Sequence, residues 1–359
     1  MKKFLSLLLA LAMTLSLAAC GQTKPAETTP VTTQIAETTP VTTQVTETAP
    51  AAEAAAYPVT VTDQAGRAVT IDEEPQRLVS GYYISTSALI ALELEDRLVG
   101  VEAKADKRPI YRRSAPELME LPSVGTAKEF DLEGCAALEP DLVILPLKLK
   151  NAAQTLEELG IPVLLVNPEN QQLLEQMVEL IAQATNTGDR ARALLDFIAD
   201  REAWLTETLA GTESPKVYLA GNSALLSTAG GGMYQSDLIR LAGGENVAAE
   251  ITDTYWVEVS YEQLLTWDPE YIILASDAGY SVEEVLADPS LADCTAVKNA
   301  NVFQMPGDAE AWDSPVPGGI LGAVWLASAL HPQECSPSER DAVIGEFYET
   351  FYGFRYSEN

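Results

Sequence analysis

The residues of this chain best equipped for chemistry are cationic and aromatic rather than nucleophilic. Eight basic side chains, Lys104, Lys107, Arg108, Arg112, Arg113, Lys128, Lys148 and Lys150, crowd one stretch of a sequence with 22 Lys and Arg against 53 Asp and Glu. Scattered surface lysines explain such a run. Against a net charge of −31, it also suits attraction of an anionic ligand. A second group is aromatic: Tyr255 adjoins Trp256, and Trp312 and Asp313 begin a Trp-Asp-Ser-Pro run. Such rings either stack on a flat ligand or plug a core. Three glycines, Gly230 to Gly232, precede an expected helix, where backbone N–H groups suit an oxyanion. The Gly-Lys-Ser/Thr of a nucleotide loop is absent, so close backbone approach or a plain flexible loop competes with that reading.

Other chemistries find little support. The single histidine, His331, stands before Pro332 in a turn-like run, and no Gly-x-Ser-x-Gly or His-Glu-x-x-His occurs. An enzyme is therefore not expected, and no cofactor is implied. A bare zinc or manganese ion would want several histidines, so no metal site is assigned and a chelated metal is favoured as ligand. Cys135, Cys294 and Cys335 have no CxxC spacing and form neither a metal site nor a complete disulfide framework. The negative charge argues against nucleic acid and against adsorption to anionic lipid. Any membrane attachment must then be covalent.

These residues need a scaffold, and its centre is a helix predicted over 187–211. Ala191, Leu194, Leu195, Ile198, Leu205 and Leu209 recur at helical spacing, Thr187 can cap the start, and Gly211 can stop the end. Roughly 24 residues make a rod of about 36 Å. Similar sequence flanks it: Asp131 to Leu145 matches Ser260 to Leu274, with Pro140 meeting Pro269, 129 positions on. Each copy reads as a short helix, a Pro-acid turn and a buried strand. A hairpin is expected around Gly66, and strands at 78–80, 98–101, 142–145 and 163–166 alternate with helices. The predicted fold class is α/β, two lobes with parallel sheets, 57–186 and 212–359, joined by the 187–211 helix. Ligands of such sheets bind beyond the strands' carboxyl ends, which points to loops at 81–86, 102–113, 125–131 and 146–151.

At the front, Lys2 and Lys3 precede an apolar run too short to span a bilayer, ending Leu17-Ala-Ala-Cys20-Gly. This resembles a bacterial lipobox. It implies a signal peptide over 1–19, lipidation at Cys20 and a place on the outer face of the cytoplasmic membrane. Residues 20–56 carry a Thr- and Pro-rich ten-residue repeat with little to bury, which predicts a disordered tether of about 35 Å mean span.

The whole body resembles the substrate-binding lipoproteins of class III ABC importers, the ferric-siderophore and cobalamin type. The resemblance rests on the Val-Thr-Asp-x-x-Gly-Arg hairpin, Leu138-x-Pro-Asp-Leu-Val-Ile, Leu241-Ala-Gly-Gly-Glu-Asn-Val, Trp312-x-x-Pro and the closing Phe-Tyr-x-x-Phe-Tyr-Gly-Phe. It implies two Rossmann-like lobes, capture of an iron complex between them, and delivery to an ABC permease with its ATPase. Corrinoid or haem binding is the alternative within that mechanism, and a sensor or adhesin on the same fold the alternative outside it. A monomer is expected. Carried over, the ligand meets Tyr82, Tyr83, Thr126 and Lys128 on one side, with Arg112, Arg113 and Lys148 adding charge. Thr228, Tyr234, Tyr255, Trp256, Trp312 and Asp313 face it from the other. Many siderophore-binding relatives have an arginine where this chain has Ser314. The resemblance also implies permease docking through acidic pairs, Glu157 with Glu158 and Glu283 with Glu284.

Overall fold

The computed structural model describes residues 56–356. Cys20 and the Thr/Pro repeat lie outside the described residues. The chain opens on a hairpin of β1 (Val59–Thr62) and β2 (Ala68–Ile71), which turns at Gly66, φ +76°. Then follow β3 (Leu78–Ser80), α1 (Tyr83–Ala91), β4 (Leu98–Gly100), α2 (Pro109–Ser114), α3 (Leu132–Ala137), β5 (Leu142–Pro146), α4 (Lys150–Glu158), β6 (Val163–Val166) and α5 (Gln171–Thr185). Strands β3 to β6 form a parallel sheet in the order β4-β3-β5-β6. All five residues of β5 are buried, as expected of a strand covered on both faces.

α6 (Gly188–Thr208) leads from this lobe into the second. It covers most of the 187–211 helix read from sequence and buries Ala191, Leu194, Ile198 and Leu205. Thr187 does not cap it: the hydroxyl pairs with that of Thr185 at 3.0 Å instead. Gly211, φ +83°, lies just beyond its end.

The second lobe runs β7 (Lys216–Ala220), β8 (Ser227–Ala229), α7 (Tyr234–Leu241), β9 (Glu245–Asn246), β10 (Trp256–Glu258), α8 (Tyr261–Trp267), β11 (Tyr271–Leu274), α9 (Val282–Leu286), α10 (Thr295–Lys298), β12 (Val302–Gln304), α11 (Gly319–Leu330) and α12 (Pro337–Phe351). Its sheet is mixed. The order is β10-β8-β7-β11-β12, with β9 also on β7; β7, β9, β11 and β12 run parallel, while β8 turns back and β10, antiparallel to β8, runs with the others again.

The internal repeat is structural. α3 and β5, advanced by 129 positions, fall on α8 and β11. Asp131 caps α3 by accepting from the Gly134 amide, and Ser260 caps α8 through that of Gln263. Before each Pro-acid turn stands a left-handed residue, Glu139 at φ +48° and Asp268 at φ +46°. Both sheets therefore end in loops with the same polarity, as a binding cleft between lobes requires.

Candidate functional site

The first wall of the cleft is built where β3 and β4 end. Ser80, the last residue of β3, lies in a buried hydroxyl chain: it pairs with Ser85 at 2.8 Å and accepts from Thr86, also at 2.8 Å. Thr86 and Tyr111 then approach the Glu102 carboxylate at 2.7 and 2.8 Å. Burial pushes the Glu102 carboxyl above its usual range, while these two hydroxyls and the charge of Arg108 oppose that rise. The network joins α1, the loop after β4 and α2 into one floor.

On this floor stand Tyr82 and Tyr83, ring centroids 5.4 Å apart and edge to face. Burial raises both phenols above their ordinary value. The Arg108 guanidinium carbon sits 4.1 Å from the centre of the Tyr83 ring. Arg108 makes no salt bridge with a described residue, and its buried Nε has no hydrogen-bond partner among them. α1 starts at the same point without a side-chain cap or an acidic residue in its first turn. A cation and a helix's positive end therefore converge on one spot.

The opposing wall comes from loops after β7, β11 and β12. Ser314, from the second lobe, lies close enough to the Tyr83 hydroxyl to oppose the rise that burial gives its phenol. Asp313, buried, accepts from the Ser276 hydroxyl at 2.6 Å, and burial raises its carboxyl above the ordinary range. The Gln235 amide donates to the Asp313 carbonyl at 2.7 Å, while its own Oε1 is buried without a partner among the described residues. An interlobe hydrogen bond runs from the Tyr234 amide to the Glu169 carbonyl, 3.0 Å. Trp256 and Tyr255, 39% and 54% exposed, are the exposed large aromatics among the described residues. Gly221 keeps room for Trp256: a Cβ there would meet the indole at 2.9 Å.

The structure brings some of the residues expected from sequence together and buries others in the second lobe. Tyr82, Tyr83 and Asp313 gather at the cleft, and Trp256 stands beside the loop that follows β7. Lys128 and Lys148 are exposed on their loops; Thr126 is exposed too, accepting the amides of Lys128 and Glu129. Arg112 is exposed and donates to the Asp106 carbonyl, whereas Arg113 pairs with Asp308 at 3.5 Å. Trp312 is a core residue, 1% exposed, donating from its indole to Tyr348 at 2.8 Å. Thr228 is fully buried and donates to the Leu219 carbonyl; Tyr234 is buried against Gly319. These three fill the second lobe rather than face open space.

The glycine run does not cradle an anion. The Gly230 and Gly231 amides donate to the carbonyls of Tyr255 and Ile251. A Cβ at Gly231 would meet the Ala249 carbonyl oxygen at 1.9 Å, so close packing of the chain on itself explains the run. Arg108 belonged to the basic group read from sequence but not to the expected ligand set. Its position before Pro109 was legible; its stacking on Tyr83 was not.

Two α/β lobes joined by one helix, with polar side chains of both gathered at their strand ends, is the arrangement of solute-binding proteins. A family model described as "Periplasmic binding protein" matches residues 78–309, and the chain belongs to that family. The molybdate-binding protein MolA of Haemophilus influenzae is 28% identical over 294 residues, 74% of this chain and 83% of that protein. Its molybdate-bound structure matches with a TM-score of 0.73 at 28% identity, over 83% of this chain and 99% of that one. A periplasmic solute binding protein from Veillonella parvula gives 0.72 at 26%, over 84% and 94%. The vitamin B12-binding protein of Salmonella choleraesuis is 29% identical over 171 residues, 47% of this chain and 64% of that protein. The protein is thus an extracytoplasmic ligand carrier of the ABC-transport type, not an enzyme, and works with a cognate permease. Among the described residues no helix is long and apolar enough to cross a membrane.

Proposed function

We propose that this protein captures a compact metal-containing anion at Arg108, between its lobes, and hands it to an ABC permease. The observation that carries the reading is the Arg108 side chain: a cation on an aromatic face, with a buried donor that no described residue satisfies. Leaving a buried donor unpaired costs about 1–3 kcal/mol, which an anionic ligand would recover. The uncapped start of α1 adds its dipole at the same place. The similarity to a molybdate-binding protein over most of both chains points the same way.

Such an anion comes as a small oxyanion or as an anionic chelate. The Tyr234–Glu169 hydrogen bond and the approach of Ser314 to Tyr83 draw the lobes together, which favours the oxyanion. A ferric siderophore, haem or corrinoid is the second reading, favoured by exposed Tyr255 and Trp256, and it would have to part Tyr83 from Ser314. Native mass spectrometry against molybdate, tungstate, sulfate, a ferric siderophore, haem and cobalamin separates them. Adducts of molybdate or tungstate alone support the first reading; a chelate adduct alone replaces it.

Attachment through Cys20 and docking through acidic side chains complete the proposal. Glu157 is engaged by Arg67 at 2.9 Å, and Glu284 closes a capping box with Ser281. Glu158, which accepts from Gln154 at 3.3 Å, and Glu283 are the exposed members left to meet permease arginines. A sensor or adhesin would bind ligand equally well, but deleting it would leave uptake unchanged.

A further inference from the structure

The end of the chain ties both walls of the cleft together. α12 packs in the second lobe, with Ile344, Phe347 and Tyr348 fully buried. Beyond it the backbone turns at Gly353, φ +70°, and Tyr352, Phe354 and Tyr356 reach two ways. Toward the first lobe, the Tyr352 hydroxyl donates to the Ser87 carbonyl of α1 at 3.1 Å, a buried bond. The Arg113 guanidinium of α2 lies 5.3 Å from the Phe354 ring centre. Toward the second lobe, Phe354 stacks on Tyr348 at 4.9 Å, and the Tyr356 hydroxyl donates to Asp308 at 2.7 Å. Phe354 thus lies between an arginine of one lobe and an aromatic of the other, and Asp308 pairs with that same arginine.

The placement of these contacts matters more than their number. Arg113 and Arg108 sit at opposite ends of α2, so whatever holds Arg113 also holds Arg108. On the other wall Trp312 packs on Tyr356, ring centres 5.6 Å apart, and Trp312 is two residues from Ser314. The segment touches each wall within one short, stiff element of the residues that face the ligand.

We propose that Tyr352–Tyr356 is an interlobe strap that sets the resting width of the cleft. It holds Arg108 and Ser314 near each other before ligand arrives, and the lobes part only when Arg113 leaves Phe354 and Asp308. Preorganising a cleft in this way removes part of the ordering cost of binding and slows escape. The strap acts on the empty protein, so its test does not depend on which anion is carried.

The test is a distance measurement between lobes, on the full chain with Cys20→Ser and no ligand added. Glu129→Cys and Asp253→Cys, one exposed site on each lobe, carry nitroxides; Cys135, Cys294 and Cys335 are buried. Double electron–electron resonance is then compared for the parent, Phe354→Ala and Arg113→Gln. The proposal expects both substitutions to lengthen and broaden the separation. Arg113→Gln removes no core side chain, so it guards against Phe354→Ala acting through misfolding. Unchanged distributions would overturn the proposal. So would widening by Phe354→Ala alone, which would make the tail a packing element of the second lobe only.

Discussion

Glu270 repeats, 129 positions later, the work of Asp141. The Asp141 carboxylate accepts the amides of Gln76 and Arg77, each at 2.9 Å, and so fixes the start of β3. The Glu270 carboxylate accepts the amide of Lys216, the first residue of β7, at 3.0 Å. In each lobe the acid after the proline anchors the neighbouring central strand, whose far end feeds the cleft. Both carboxylates are exposed, so each amide bond contributes about 1 kcal/mol or less. Asp141→Ala should therefore destabilise the protein more than Glu270→Ala, in chemical denaturation with an unchanged slope. Equal losses would contradict the difference of two amide bonds against one, and no loss in either variant would show that the paired geometry carries no stability.

This pair also shows how far sequence went. The repeat was legible because its signal is local: proline, acid and buried strand stand in one run, and the helix caps stand at fixed offsets. The connecting helix was legible from its apolar spacing, whereas its N-terminus was not, because a neighbouring threonine outcompetes the backbone for the Thr187 hydroxyl. Long-range partners decided the site. Trp312 reads equally well as a stacking platform or a core residue until Tyr348 and Tyr356, from the end of the chain, are brought against it. Arg113 looked like a ligand contact until Asp308 and Phe354 engaged it.

Trp256 tests the second wall. It is exposed, and the backbone of Gly221 lies beneath its ring. If it touches ligand, ligand addition should quench its fluorescence, and Trp256→Ala should weaken binding by about 1–3 kcal/mol without lowering the melting temperature. A loss of folding with unaltered affinity would make it a packing residue.

Glu310 gives a pH dependence of stability. Burial raises its carboxyl to about 8, only partly offset by the Tyr348 hydroxyl and the Gly318 amide. Its second oxygen is buried without a partner among the described residues. A carboxyl raised in the folded state binds more protons folded than unfolded, so its contribution is fully present below the unfolded value near 4.5. It falls as pH rises toward 8 and is lost above. Glu310→Gln should therefore raise the melting temperature most in alkaline buffer and flatten its decline with pH. Parallel curves for parent and variant would contradict this.

Docking is tested by charge. Glu158→Lys combined with Glu283→Lys should leave ligand affinity intact and abolish uptake in cells, because rim charges govern encounter and orientation. Normal uptake would remove both residues from the permease interface.

The central claim, that Arg108 holds an anion between the lobes, is tested most directly by calorimetric titration of the protein and its Arg108→Gln variant with molybdate. The parent should bind one equivalent, more weakly as salt rises because exposed charges are screened over about 8 Å at physiological ionic strength. Arg108→Gln should lose at least about tenfold in affinity, the cost of one charge-assisted contact of about 1.4 kcal/mol, with its melting temperature unchanged. Binding of equal strength by the two proteins would contradict the account.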